Sequence, residues 1–149
     1  MKELLMLYAA YNQQTNSQII SLLSEMSEEE LNKERNTYFK SIKGLFEHLI
    51  LGSWNYLNAV KNLTQGKYCK SLPGLPRENK KFILNIPELF EYLKGLDELL
   101  LEAARSINNE DLNILKENLT IYNGRKIDIY VREYFLQYIT HQVHHQGQL

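Results

Sequence analysis

The chain has 149 residues, of which 44% are hydrophobic and 23% charged, and these values predict one soluble domain with its own core over residues 1–149. Its formal net charge of −1 excludes the electrostatic footprint of a protein that binds nucleic acid or an anionic membrane surface. A single cysteine, Cys69, excludes an internal disulfide, and with no signal-like segment and no apolar run of about 18 residues it predicts a cytoplasmic protein.

The first element is predicted to be one long amphipathic helix over residues 2–24. This segment has no glycine or proline, and its apolar side chains recur at the spacing of a helix. The apolar positions are Leu4, Leu7, Tyr8, Tyr11, Ile19, Leu22 and Leu23. After this helix, Ser27 and Glu30 have the spacing of a capping box, which predicts a short turn of helix there.

The second long helix is predicted to begin after Ser41 and to run to about Leu63. Its apolar flank consists of Ile42, Leu45, Phe46, Leu49, Tyr56, Leu57 and Val60. His48 lies in this helix between Gly44 and Gly52, although each glycine costs roughly 1 kcal/mol relative to alanine in a helix interior. Two interpretations stay open: the glycines allow close helix packing, or they leave space beside the imidazole for a metal and a ligand.

A long loop is predicted between the second and third long helices, because glycine and proline punctuate residues 64–86. The third helix is predicted to begin with Asn85 as its N-cap and Pro87 in its first turn. It then runs to about residue 107. Its core stripe consists of Leu89, Tyr92, Leu93, Leu96, Leu99, Leu100, Ala103 and Ile107.

A short hairpin-like lead-in is predicted before the last helix. Asn123-Gly124 is a type I′ turn signal, and the segments 119–122 and 126–127 on either side of it favour strands. Asp128 is predicted to cap the last helix. The four long amphipathic helices together predict an all-α fold, a four-helix bundle.

The last helix holds three of the four histidines of the chain. On a helix that turns about 100° per residue, His141 and His145 lie one turn apart on one face, which lets two imidazoles reach one metal ion. His144 lies about 60° to the other side and is geometrically able to replace either partner, so the ligand pair stays open at this point. His48, from a second helix, would complete a three-histidine site with an open position.

With these motifs the sequence resembles the DinB/YfiT-like superfamily of metal-binding helical bundles. The closing stretch His141-Gln-Val-His-His145-Gln-Gly-Gln-Leu is similar to that family's His-x-x-His-His-Arg-Gly-Gln signature. The segment from Ser41 to His48, followed by Trp54, resembles its second-helix pattern. Further similarities lie at Tyr8-Ala-Ala-Tyr11-Asn12, Asn16, Ser27-Glu-Glu-Glu-Leu31 and Asn123-Gly124.

The resemblance implies a bundle that binds one divalent metal through His48, His141 and His145, and it implies a homodimer. Characterised relatives transfer or isomerise small molecules with a low-molecular-weight thiol such as bacillithiol, mycothiol or glutathione. The chain departs from the family pattern in two places. Gln146 replaces the usual arginine, which removes a cation able to bind a carboxylate. Relatives continue beyond the position of Leu149, so we expect the turn around His145 to fray.

The leading functional hypothesis is a metal-dependent enzyme, a thiol S-transferase that acts on a small-molecule substrate. Three neutral histidines leave a fourth position on Zn²⁺ or Ni²⁺ for water or a thiolate, and a thiol bound to such a metal is deprotonated at neutral pH. Tyr134, Tyr138 and Asn55 are candidates to orient the substrate, whereas Cys69 is interpreted as incidental. The alternative is a non-catalytic, metal-stabilised dimeric bundle that binds partners through tyrosine-rich faces.

Overall fold

The computed structural model describes residues 1–120 and 124–149, and this part of the chain contains six helices and four short strands. The elements are α1 (Lys2–Ser24), α2 (Glu28–Asn32), α3 (Ile42–Leu63), β1 (Arg77–Glu78), β2 (Lys81–Phe82), α4 (Ile86–Ser106), α5 (Asn109–Leu112), β3 (Leu115–Thr120), β4 (Lys126–Tyr130) and α6 (Val131–Gln146). The four long helices α1, α3, α4 and α6 form a bundle, which confirms the predicted all-α fold. No helix in the described ranges has the length and apolar content needed to cross a membrane.

Each long helix packs against two others in the bundle. Helix α1 packs against α4 and α6, and helix α3 packs against the same two helices. The core between them is aliphatic and aromatic, and its fully buried side chains include Leu5, Leu49, Leu57, Leu89, Leu93, Leu96, Leu100 and Phe135. Because α3 and α6 are neighbours, the helix that carries His48 lies beside the helix that carries the other three histidines.

Side-chain caps fix where the helices begin. The hydroxyl of Ser41 accepts a hydrogen bond from the backbone N–H of Gly44, so α3 starts where the sequence predicted. Asn85 and Glu88 each accept from the other's backbone N–H, at 2.9 Å and 2.8 Å, and start α4 as predicted. Ser27 caps α2 by accepting from the backbone N–H of Glu30.

The predicted cap of the last helix is wrong. Asp128 lies inside β4, and its carboxylate accepts a hydrogen bond from the backbone N–H of Asn118 at 2.9 Å across the hairpin. Helix α6 begins at Val131, and Glu133 accepts from the backbone N–H of Tyr130 at 2.9 Å. The strand therefore continues further towards the helix than the position of Asp128 suggested. The antiparallel pairing of β3 with β4 confirms the hairpin before α6, but Asn123 of the predicted turn lies outside the described residues.

The buried face of α1 also differs from the apolar stripe in its sequence. Five of the seven apolar positions that the sequence indicated are exposed, namely Leu4, Leu7, Tyr8, Tyr11 and Leu22. The buried face instead consists of Leu5, Ala9, Asn12, Asn16, Ile20 and Leu23. Two core positions of this face are asparagines, so a search for apolar periodicity follows the wrong side of the helix.

The two asparagines belong to a buried hydrogen-bond cluster that joins three helices. Both donate to the carboxylate of Asp97 on α4, Asn12 at 2.8 Å and Asn16 at 2.9 Å. The side-chain amide of Gln146 on α6 donates to the amide oxygens of Asn12 and Asn16, at 2.9 Å and 2.8 Å. The glutamine that departs from the family pattern thus ties the last turn of α6 to α1. The fraying expected around His145 is not what the structure shows, because this turn is held in the core.

Candidate metal centre

Three histidines from two helices meet at one end of the bundle. One potential ligand atom from each of His48, His141 and His145 lies within 4.8 Å of the other two. The Nε2 atoms of His48 and His141 are 3.0 Å apart, and the ring of His145 lies within 4.6 Å of both other rings, centroid to centroid. The structure therefore brings together the three side chains that the resemblance implied. His144 is exposed and lies outside this group, so the i, i+4 pair and not the i, i+3 pair faces His48.

The environment favours the neutral form of two imidazoles in the cluster, those of His48 and His141. Burial lowers the pKa of His48, and the neighbouring His145 lowers it further. Burial also lowers the pKa of His141 to about 4, with His145, His48 and His144 adding to the effect. A second positive charge is unfavourable so close to the first, and burial disfavours any charged form. Neutral imidazole is the form that binds a metal, so these rings are ready to act as ligands at neutral pH.

Gln148 orients the third imidazole. Its side-chain oxygen Oε1 lies 2.7 Å from Nδ1 of His145. An amide oxygen only accepts hydrogen bonds, so Nδ1 carries the hydrogen and Nε2 keeps its lone pair for a metal. The sequence gives a signal for this residue, because Gln148 follows His145 at a spacing of three residues, although α6 itself ends at Gln146. Its role depends on a contact that the sequence does not specify.

Phe39 forms an aromatic wall against the cluster. Its ring centroid lies 4.5 Å from that of His48 and 5.2 Å from that of His145. The residue precedes α3 in a loop, and no pattern in the sequence marks it. A Cβ atom at Gly44 would lie 2.2 Å from the carbonyl oxygen of Phe39, so only glycine lets this loop pass so close to α3.

Gly52 makes room for a histidine from the other helix. A Cβ atom there would lie 2.8 Å from Cε1 of His141 and 3.2 Å from its Nδ1. Real Cβ atoms do not approach so closely, so a larger residue would displace the ring. Of the two interpretations of the glycines beside His48, close helix packing does not describe Gly44, because a Cβ atom there would meet a loop carbonyl and not a second helix. At Gly52 the glycine serves the histidine cluster, and the space that it leaves is occupied by His141.

A cavity of about 130 Å³ opens beside His141 in the groove between α3 and α6. Its lining consists of Gly52, Asn55, Tyr56, Tyr134, Gln137, Tyr138 and His141. The three residues proposed from the sequence to orient a substrate, Asn55, Tyr134 and Tyr138, therefore all line one cavity next to a candidate ligand. Asn55 is exposed and Tyr134 half-buried, so both are within reach of a small molecule.

Tyr138 is held more tightly than the other two. Its hydroxyl oxygen lies 3.0 Å from the hydroxyl oxygen of Ser53, and its ring stacks on that of Tyr56 with centroids 4.5 Å apart. Burial and the nearby carboxylate of Asp97 raise the pKa of Tyr138 far above its ordinary value. This hydroxyl is thus neutral and engaged in the core, so the ring of Tyr138 serves as a wall of the cavity.

The one cysteine is not a member of the cluster. Cys69 is buried in the loop between α3 and β1, and burial raises the pKa of its thiol to about 11. A thiol with this pKa is protonated at neutral pH and is a poor nucleophile.

The donor set fits one divalent metal ion. Two nitrogens bound to a tetrahedral Zn²⁺ at 2.0–2.1 Å lie about 3.3 Å apart. Nε2 of His48 and Nε2 of His141 are already 3.0 Å apart, so binding needs only a small separation of the two rings. The third ring is oriented by Gln148, and no fourth histidine, cysteine or carboxylate joins the group within the described residues. Three protein ligands leave one coordination position for a molecule from solution.

Comparison with known proteins gives one family. A model of the DinB superfamily matches residues 11–149, which includes all three clustered histidines. Among curated proteins and among solved structures, none matches the chain.

Proposed function

The chain belongs to the DinB superfamily, and on that premise we propose that it is an enzyme that uses one divalent metal ion to transfer a low-molecular-weight thiol to a small electrophilic molecule. The observation that carries this proposal is the meeting of His48, His141 and His145 within 4.8 Å of one another, with no fourth protein ligand among the described residues. The three histidines would hold Zn²⁺ or Ni²⁺. The choice of a thiol as the transferred group comes from the family resemblance.

A bound metal ion with an open position would lower the pKa of a coordinated thiol and so supply a thiolate at neutral pH. This fits a site in which the described residues offer no ready nucleophile of their own, because the thiol of Cys69 is protonated and lies in a different loop. The chain's own residues then have to hold the ligands, exclude water and position the second substrate.

Each of these tasks has a candidate residue. Gln148 engages Nδ1 of His145 and so leaves Nε2 of that ring as its candidate metal ligand. Phe39 covers the rings of His48 and His145 and shields them from water on that side. Asn55 and Tyr134 line the cavity beside His141, where an acceptor would lie next to the sulfur.

The transfer step conserves atoms and charge as follows. The thiol gives its proton to solvent, and its sulfur then forms a bond to the electrophilic carbon of the acceptor. The bond from that carbon to its leaving group breaks, and the leaving group departs with the electron pair and takes up a proton. The products are a thioether and the protonated leaving group, so no oxidant or reductant is required.

The ligand set is tested by comparing two adjacent histidines. We expect His145→Ala to weaken Zn²⁺ binding by at least tenfold. Even the loss of a group that only supports a metal ligand lowers metal affinity by about 10- to 100-fold, and His145 is a proposed ligand itself. His144→Ala is the matched control, since His144 is exposed and outside the cluster. Calorimetric titration of both variants measures the two affinities. A stronger effect of His144→Ala would exclude the proposed ligand set.

The thiol is tested with cobalt in place of zinc. We expect bacillithiol or cysteine to add a sulfur-to-metal charge-transfer band in the near ultraviolet and to release a proton as it binds. His48→Ala should lose the band and also lose transfer of the thiol to an electrophile, while its far-ultraviolet circular dichroism stays unchanged. A cobalt spectrum that no thiol alters would overturn the thiol-transfer proposal.

A second candidate function is a non-catalytic, metal-stabilised homodimer, and one surface of α1 favours it. Leu4, Leu7, Tyr8 and Tyr11 recur at helical spacing on one face and are 36% to 65% exposed. Apolar faces of this kind are covered in many oligomers. Sedimentation of the wild-type chain and of Leu7→Glu tests this candidate. We expect a dimer that the charged variant dissociates, combined with the absence of any response to thiols.

A further inference from the structure

The cavity beside His141 has a lining that selects the charge of its ligand. Besides the imidazole, Asn55, Tyr134 and Gln137 offer polar groups to a ligand in this cavity, and none of its seven lining residues is an aspartate, glutamate, lysine or arginine. A charged ligand that entered it would lose water without gaining an ion-pair partner, which is costly. A neutral ligand would lose less and would still find amide and hydroxyl partners.

The aromatic side chains that line the cavity favour a flat ring as its ligand. Tyr134 and Tyr138 lie on one side of it on α6, and Tyr56 stacks with both, with interplanar angles of 24° and 18°. Aromatic walls of this kind favour a stacked or edge-on ring. The volume of about 130 Å³ is close to the roughly 150 Å³ of an engineered cavity that takes up one benzene molecule. The cavity therefore holds about one six-membered ring.

Polar side chains lie at the mouth of the cavity, where a substituent on the bound ring would project beyond the tyrosine rings. Asn55 from α3 and Gln137 from α6 are both exposed and both line the cavity, so they stand at its mouth. Their side-chain amides each offer a donor and an acceptor. An amide group on the ring would pair with both their donors and their acceptors, and a carbonyl group would pair with their donors. A carboxylate would also pair only with their donors, and it would lose more water on entering the cavity.

We propose that this cavity binds the acceptor substrate, and that the acceptor is a neutral molecule with one planar ring that bears a carbonyl or amide group together with the electrophilic carbon and leaving group that the transfer step requires. The role as acceptor rests on the thiol transfer proposed above, but the binding preference depends only on the residues of the cavity. Because His141 is both a wall of the cavity and a member of the histidine cluster, a ring bound there would lie beside one of the three candidate metal ligands.

Three probes of one shape test the charge preference: benzamide is neutral, benzoate is an anion and benzamidine is a cation. They are titrated into the zinc-loaded chain and followed by the backbone amide signals of Gly52, Gln137 and His141. The titrations are repeated with a chelator, so that binding of benzoate to the metal is distinguished from binding in the cavity. We expect benzamide to bind at about 10 mM, which ordinary ligand efficiency gives a ring of this size, and both ions to bind at least roughly tenfold more weakly.

Substitutions at the mouth test the polar contacts. Asn55→Ala and Gln137→Ala should each raise the Kd for benzamide by roughly fivefold, because each removes one hydrogen-bonding partner. Asn62→Ala, another exposed asparagine on α3 that does not line the cavity, is the matched control and should bind benzamide as the wild type does. Circular dichroism checks that all three variants keep the fold.

The outcomes separate this inference from the proposed function. Equal or tighter binding of benzoate or benzamidine in the presence of the chelator would overturn the inference, as would benzamide shifts that leave the cavity signals unchanged. If benzamide binds as expected but no thiol alters the cobalt spectrum, the cavity assignment stands and thiol transfer fails. If the thiolate band appears and benzamide does not bind, thiol transfer stands and the acceptor class is wrong.

Discussion

The position of His141 depends on Gly52, because a glycine has no side chain to occupy the space beside α3. The ring of His141 occupies the place next to α3 that a Cβ atom of residue 52 would enter, and it meets His48 from there. Gly44, one turn on the other side of His48, has a different task. It lets the carbonyl of Phe39 approach α3, which brings the phenyl ring against two imidazoles. Two glycines with equal spacing from one histidine thus act on two different neighbours.

Alanine substitutions separate these tasks. Gly52→Ala should weaken Zn²⁺ binding by roughly tenfold or more, because the new methyl group displaces the ring of His141. Gly44→Ala should lower the free energy of unfolding by about 1–3 kcal/mol, because its methyl group meets a backbone oxygen that cannot move away freely. Zinc titration and urea unfolding measure the two effects.

Gly95→Ala is the matched control for both variants. It lies in α4, and a Cβ atom there would meet nothing within 4 Å. We expect it to stabilise the fold by up to about 1 kcal/mol through helix propensity alone and to leave zinc binding unchanged. A Gly52→Ala variant that gained the same stability and bound zinc normally would show that residue 52 does not position His141.

At the scale of the helices, the least expected feature is a carboxylate in the core. Asp97 on α4 is 2% exposed, and its partners on α1 are the neutral amides of Asn12 and Asn16. Burial raises its pKa to about 7, although the hydrogen bonds from the two amides oppose this shift. Gln146 extends the same network to α6 in the turn that follows His145. The network therefore connects the packing of three helices to the end of the candidate metal centre.

The raised pKa predicts how stability depends on pH. The folded state holds the proton of Asp97 more tightly than the unfolded chain, whose carboxyl has the ordinary pKa of 3.8. The contribution of this group is thus fully present below about pH 4 and is lost as pH rises through about 7. In Asp97→Asn, which carries no titrating group, we expect this slope of at most about 1.4 kcal/mol per pH unit to vanish.

Urea unfolding of both proteins between pH 4 and 8 measures this slope as the difference between their free energies of unfolding. Taking the difference removes the contribution of the other carboxylates to the free energy of unfolding. The difference should increase in favour of Asp97→Asn as pH rises to about 7 and should stay constant above that pH. A difference that is flat across the whole range would mean that Asp97 keeps an ordinary pKa in the folded chain.

For the molecule as a whole, the histidine cluster joins two neighbouring helices of the bundle at one end. A metal that binds the folded chain and not the unfolded chain stabilises the fold by mass action, by about 2.7 kcal/mol at a concentration of 100 times its Kd. For a chain of this length, that corresponds to a rise in Tm of roughly 5–10 °C. We expect Zn²⁺ to raise Tm by this amount and a chelator to reverse the rise.

Scanning calorimetry of two histidine variants checks the origin of this effect. His48→Ala should lose the response to Zn²⁺, because it removes the ligand that α3 supplies. His144→Ala should keep the response, because its side chain is exposed and outside the cluster. A rise in Tm that survives in His48→Ala would place the metal elsewhere on the chain.

The sequence by itself determined the helices and most of their ends. Apolar periodicity and the caps at Ser41 and Asn85 depend on neighbours close in the chain, so residue types and spacing are enough to locate them. The same local rule put His141 and His145 on one face, but the choice of His145 over His144 came from the family resemblance and from the grouping with His48 in the folded chain. The rule failed for Asp128, because an aspartate can occupy a strand position as well as a helix N-cap. Only the pairing of the hairpin distinguishes the two.

Only the tertiary structure decided which faces meet. The buried face of α1 contains Asn12 and Asn16, and their burial is favourable only because Asp97 of another helix receives their hydrogen bonds. The approach of Phe39 to the cluster and the space that Gly52 gives to His141 likewise join residues far apart in the chain. Such contacts depend on how helices pack and not on the local spacing of residues, so the shape of the site is a property of the folded bundle.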